Sequence, residues 1–190
     1  MISFLVVSPT VLRDTKKSVK SVIGGQERFD VLSRCLLNLD RWKERIPTDL
    51  NLIIYLSNPE NEVVLTIPLE SFSPLKGELD SVFRLIEIFA DPQSYKLNFI
   101  SNDFEQLIVD LSKSFTLYYL TPEGIPLKNL YDEIDEKSNL CFVLGSQKDL
   151  TEKQEQVLYK NNVVPISLGE KDYLASHVIT IICHQLAYGS

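Results

Sequence analysis

The sequence is short of the features that usually settle a function. It has three cysteines in 190 residues, Cys35, Cys141 and Cys183, each inside an apolar segment and none in CxxC spacing. That excludes a disulfide framework and a thiolate zinc site. Buried free thiols suit a reducing compartment, so a cytoplasmic location is expected. The two histidines, His177 and His184, are seven apart, whereas a helical metal pair needs i, i+4 spacing, so no metal is expected. GxSxG, Walker A and GxGxxG are absent, which removes the motifs of a nucleophile elbow, a P-loop and a dinucleotide fold. No apolar run approaches the ~20 residues of a membrane-spanning helix, so no membrane association is expected. The opening MISFLVVSP has no basic leader and its apolar run stops at Pro9; it reads as a first strand, not a signal peptide. Repeats, linkers and low-complexity tracts are missing too, and one domain over residues 1–190 is the expectation.

What is present begins with charge. The net charge is −7, yet residues 1–46 hold nine Lys/Arg against five acids, a balance of +4. The other 144 residues carry ten bases and twenty-one acids, a balance of −11. Such asymmetry points to a basic, anion-facing end on an acidic body. A solvated loop bearing Lys16, Lys17 and Lys20 accounts for the same pattern.

The organising stretch runs from Leu140 to His184. Cys141–Leu144 and Val163–Leu168 are short apolar runs, each ending in Leu-Gly. Glycine there permits positive φ and close backbone approach to a ligand. Strands joined by the intervening helix, 151–161, should be parallel, with carboxyl ends side by side where open α/β sheets bind ligands. Thr151 and Gln154 have capping-box spacing.

Upstream, Ile2–Ser8 reads as a doubly buried strand and about Gln26 to Trp42 as a helix. A strand within 49–57 and a short one at 62–67 follow, then a helix over 79–90. A strand at 96–100 precedes a helix capped by Ser101–Asp103 and ending near Lys113. Phe115–Leu120 reads as a buried strand stopped by the turn Thr121–Gly124. Residues 125–139 read as an acidic loop with a short helical turn. The last helix, about Tyr173 to Ala187, is apolar on most sides, so it is wrapped by the domain or packed on another subunit. The residues alone reach a cytoplasmic α/β ligand-binding domain with a basic N-terminal region.

Three segments extend this. GGQERFDVLSRC (24–35), FVLGSQKDLTEKQEQVL (142–158) and ISLGEKDYLASHVITIICHQL (166–186) resemble the archaeal tRNA (pseudouridine-54) N1-methyltransferase family, of the SPOUT class. The resemblance implies a SPOUT-type α/β knot: a mainly parallel sheet flanked by helices, with a C-terminal trefoil knot, in a homodimer. It implies S-adenosyl-L-methionine as cofactor, held at Leu120, Gly145, Leu168, Gly169, Glu170, Lys171, Asp172, Tyr173 and Val178. It implies methyl transfer to N1 of a pseudouridine in tRNA, with an rRNA pseudouridine or a silent RNA-binding dimer as alternatives. The target base must leave its stack, a cost that phosphate contacts offset. On this reading Arg28, Arg13, Lys16 and Lys17 bind RNA, and Asp30 with Arg34 positions or deprotonates N1. The alternative is that Asp30 and Arg34 only pair with each other. The chain departs from the family pattern in three places: Ser146 stands where an acid follows the first Leu-Gly, Val178 where Cys is usual, and PLKGELD (74–80) where a Pro-Asp-Glu-Arg element is usual.

Overall fold

Period-two burial in the strands sets the architecture. In β1 (Ile2–Ser8), Phe4 and Val6 enter one hydrophobic cluster while Leu5 and Val7 enter another. The same split recurs in β2 (Leu50–Leu56), with Leu52 and Ile54 against Ile53 and Tyr55. In β6 (Leu140–Gly145) it divides Phe142 and Leu144 from Cys141 and Val143. Alternation with both sets buried means helices on both faces of one sheet. The computed structural model describes residues 1–13, 17, 22, 25–58, 62–129, 138–169, 171 and 173–189.

One face is covered by α1 (Phe29–Trp42), α2 (Glu78–Ala90) and α5 (Ala175–Tyr188), through Leu32, Leu36, Leu85, Phe89, Ile179 and Ile182. The other is covered by α3 (Phe104–Ser112) and α4 (Glu152–Lys160), through Phe104, Leu107, Ile108 and Leu158. The sheet adds β3 (Val63–Pro68), β4 (Phe99–Ser101), β5 (Thr116–Pro126) and β7 (Val164–Ser167), in the order β4-β3-β2-β1-β6-β5-β7. Strand β1 runs parallel to β2 and β6, and β5 parallel to β6 and β7; β3 is antiparallel to both its neighbours. This is the expected mixed α/β fold with a mostly parallel sheet.

Several local expectations are met and some shift. Thr151 forms its capping box with Gln154, and Asp103 caps α3 by accepting from Gln106 N at 2.8 Å. Helix α1 starts at Phe29 rather than near Gln26, because Arg28 sits in the left-handed region at φ 54° and cannot belong to a helix. The strand expected at 96–100 is only Phe99–Ser101. Within 125–139 a 3-10 turn spans Leu127–Asn129, and residues 130–137 lie outside the described ones.

The main correction concerns β5. The carboxyl ends of β6 and β7 are not adjacent, because β5 lies between them. Thr116–Tyr119 pair with β6 on one side and Tyr118–Leu120 with β7 on the other, so this strand is interior to the sheet. Nor does β5 stop at the turn. Leu120 and Ile125 both stand opposite Ile166, so residues 121–124 bow out between two passes over one position of β7. Gly124 permits the second pass: a Cβ there would lie 2.6 Å from Ile166 Cα.

Helix α5 is wrapped on one side by its own chain. Asn38 Nδ2 on α1 donates to Ser176 O at 2.6 Å and to Thr180 Oγ1 at 3.0 Å. Among the described residues no helix is long and apolar enough to cross a membrane. Gly124→Ala is expected to force β5 off β7 and cost about 2 kcal/mol, a fall of roughly 4–8 °C in melting temperature by calorimetry.

Candidate functional site

The edge of the sheet at Leu120 of β5 and the carboxyl ends of β6 and β7 opens into a cleft of about 600 Å³, walled by residues 120–122, 144–149, 168, 169, 171, 173–175, 177 and 178. That volume is typical of a small-molecule site, and the carboxyl edge of a parallel sheet is where such sites form. Each wall has a local cause. The loop after β6 folds back so far that a Cβ on Gly145 would overlap Lys148 O, so only glycine fits. The positive φ expected after each Leu-Gly occurs at Gly169, at 104°, and not at Gly145, where the missing Cβ is what matters.

Leu120, Gly145, Leu168, Gly169, Lys171, Tyr173 and Val178 all line this cleft. Glu170 and Asp172, named with them, lie outside the described residues. Sequence reasoning missed the lining residues Gln147 and His177, which carry no motif; only the strand register brings them there. Val178 donates its N–H to Leu174 O at 3.0 Å, so what it offers the cleft is an apolar side chain. Ser146 is 5% exposed, donates its N–H to Val7 O at 3.0 Å and its hydroxyl to Gln147 Oε1 at 3.1 Å. A small hydroxyl fits that buried corner. Leu120, Leu144, Leu168 and Val178 supply apolar wall, while backbone at Gly145 and Gly169 and the side chains of Thr121, Gln147, Lys148, Asp149, Lys171 and His177 supply polar edges. Such a lining suits a flat purine ring and its ribose, so S-adenosylmethionine fits the residues present. Among the described residues no cluster of His, Cys, Asp or Glu could hold a metal.

A charged cluster occupies the same edge of the sheet. Because β1 runs parallel to β6, the chain leaving β1 reaches the N-terminus of α1 on the cleft side. There Arg28 Nε lies 3.0 Å from Asp30 Oδ1, and Arg34 Nη2 bonds Asp30 Oδ2. Burial pushes the Asp30 carboxyl up, but the hydrogen bonds and charges of Arg28 and Arg34 outweigh it and hold it below the usual carboxylate range. Asp30 is therefore an ionised anchor between two guanidinium groups, and a weak base.

Two further cations of the basic region, Lys17 and Lys43, are paired within the chain. Lys17 Nζ is 2.6 Å from Glu27 Oε2 with its side chain 6% exposed, and lies over the Phe29 ring at 5.4 Å. Arg13 stacks on Phe99 at 4.8 Å, toward the β4 flank and away from the cleft. Lys43 pairs with Asp40 at 2.7 Å. Lys16 lies outside the described residues. The PLKGELD element is fixed by α1: Leu75 N donates to Asp40 Oδ2 at 2.7 Å, and Lys76 N to Asp80 Oδ2 at 2.9 Å.

Comparison with known proteins bears on this site. Residues 1–188 match the model of a family described as "Putative SAM-dependent RNA methyltransferase". A tRNA (pseudouridine(54)-N(1))-methyltransferase of Thermococcus kodakarensis is 25% identical over 201 positions, covering 96% of each chain. The protein of that name from Thermococcus onnurineus is 38% identical over 85 residues, 44% of this chain and 39% of its own length. The crystal structure of Archaeoglobus fulgidus Nep1 bound to S-adenosylhomocysteine superposes with a TM-score of 0.59 at 13% identity, covering 97% of this chain and 95% of that one. That last likeness is one of fold.

Gly145→Ala should open the 146–149 loop. S-adenosylhomocysteine affinity measured by calorimetry is expected to fall about tenfold or more, since overpacking of this kind costs ~1–3 kcal/mol. Unchanged affinity would remove the loop from the site.

Proposed function

The chain belongs to the SAM-dependent RNA methyltransferase family whose model it matches over residues 1–188, and from that premise we propose that it methylates N1 of a pseudouridine in tRNA, at position 54. The observation that carries this reading is the meeting, on one sheet edge, of a purine-sized cleft and the Arg28–Asp30–Arg34 cluster. The names of the Thermococcus relatives supply the base and the position.

In this reading S-adenosylmethionine supplies an electrophilic methyl group. The cleft loops would hold it with apolar wall, glycine backbone and polar side chains such as Gln147 and Lys171, leaving orientation of the base to side chains at the start of α1. N1 would take the methyl as the S–CH3 bond breaks and S-adenosylhomocysteine leaves, with the N1 proton passing to solvent, so alignment would matter more than covalent chemistry. Arg28 and Arg34, 40% and 31% exposed, face the RNA while Asp30 fixes their spacing. Asp30 then positions the base rather than deprotonating it, because a carboxylate held low by two arginines is a poor acceptor.

A single catalytic domain, a trefoil knot and a homodimer belong to the same proposal. Tyr173, Leu174 and Tyr188, exposed at the two ends of α5, support a self-complementary face there. A monomeric mass in sedimentation would remove the dimer, and an experimental trace of residues 116–178 without threading would remove the knot.

Asp30→Asn should raise the KM for RNA about 10- to 100-fold, the usual worth of a charge-assisted hydrogen bond. Its folded pKa is lowered, so Asp30 stays ionised as pH falls to the ordinary carboxylate value and loses charge only below it. Wild type and variant should therefore show rate profiles of the same shape from pH 5 to 9; an acid limb lost in the variant would restore the base role. For substrate choice, nucleoside mass spectrometry of tRNA and rRNA from a deletion strain decides. Loss of N1-methylpseudouridine from tRNA is expected, and loss confined to rRNA would redirect the assignment.

A further inference from the structure

One connection links the cleft to the charged cluster, across 137 residues of sequence. Gln147, in the wall after β6, donates from Nε2 to Thr10 Oγ1. The Thr10 hydroxyl in turn donates to Glu27 O at 2.7 Å. Glu27 is held from its other end as well: its carboxylate accepts from Leu12 N at 3.2 Å and from Lys17 Nζ at 2.6 Å. The next residue is Arg28, in the left-handed region at φ 54°. A non-glycine residue there carries strain that persists only where the surroundings over-determine it. The surroundings on the preceding side are the fixings of Glu27, and Arg28 N completes them by donating to Gly25 O at 3.1 Å. On the following side, Arg28 is the residue whose guanidinium grips Asp30.

We propose that Thr10, with Gln147 and Glu27, is a positioning residue that makes the stance of Arg28 depend on the cleft loop, so that cofactor and RNA bind cooperatively. The proposal rests on the functional reading above. Thr10 is not a cleft residue and reaches no reacting atom; it acts through Gln147 on one side and Glu27 on the other. A ligand that orders residues 146–149 holds the Gln147 amide in place. That holds Thr10 and Glu27, and lowers the cost of keeping Arg28 in its left-handed conformation. RNA, which engages Arg28, then binds more tightly. By linkage it must tighten the cofactor by the same factor.

The test uses the full chain, S-adenosylhomocysteine and a tRNA T-arm hairpin carrying pseudouridine. Wild-type affinity for the hairpin is expected to rise about fivefold when S-adenosylhomocysteine is saturating, the low end of measured couplings. In Thr10→Val the ratio should fall to about one while affinity for S-adenosylhomocysteine alone stays within about twofold; Thr10→Ser, which keeps the hydroxyl, should restore it. A merely structural hydroxyl would lower both affinities together and leave the ratio untouched, and that result overturns the proposal. Hydrogen exchange on the wild type needs no variant: S-adenosylhomocysteine should slow the amides of residues 28–31, and unchanged exchange there also overturns it. A wild type that methylates the hairpin with a coupling ratio of one refutes the link alone. A wild type that neither binds nor methylates the hairpin refutes the functional reading with it.

Discussion

The insertion of β5 between β6 and β7, prolonged by its second pass over Ile166, is the constraint on which the rest depends. Residues 116–119 pair with β6 and residues 118–120 with β7, which brings the ends of three consecutive strands to one opening. A β6–β7 pair without β5 would have two loops at its edge and no third wall. The pass itself rests on one missing atom group, since Gly124 lies against the Ile166 backbone where any side chain would collide. The cleft at the edge is thus a consequence of strand order more than of any lining residue.

Chemistry on the neighbouring side follows from charge compensation. The basic excess of residues 1–46 suggests an open cationic surface, yet four of its nine cations are paired within the chain: Lys17 with Glu27, Lys43 with Asp40, and Arg28 and Arg34 with Asp30. Only the last set is both paired and substantially exposed. Two guanidinium groups spaced by one carboxylate form a rigid, oriented donor array, which suits recognition of a base or phosphate better than a mobile lysine does.

How much of this was legible in the sequence differs by level. Strands and helices with a clear period, such as Ile2–Ser8 and the 79–90 region, were readable because burial on one or both faces leaves its mark in apolar spacing. The Thr151 capping box was readable because it is local. The insertion of β5 was not, since pairing between 116–126 and 164–167 leaves no local trace, and Thr-Pro-Glu-Gly at 121–124 reads as an end where it is a detour. Of the cleft, the Leu-Gly positions stood out through glycine, whereas Gln147 and His177 had nothing to mark them. Resemblance to a family, and not periodicity, singled out Leu120 and Val178. Of the N-terminal lysines, Lys17 has a partner in Glu27 that composition, which counts charges alone, does not show.

The central claim is that the nucleophile is N1 of a pseudouridine, and it is open to a direct chemical test. In uridine N1 carries the glycosidic bond, whereas in pseudouridine it bears a removable proton. Purified protein, radiolabelled S-adenosylmethionine and two tRNA transcripts identical except for uridine or pseudouridine at position 54 separate the two cases. The account predicts methyl incorporation into the pseudouridine transcript alone. Equal incorporation into both, or none into either, would contradict it.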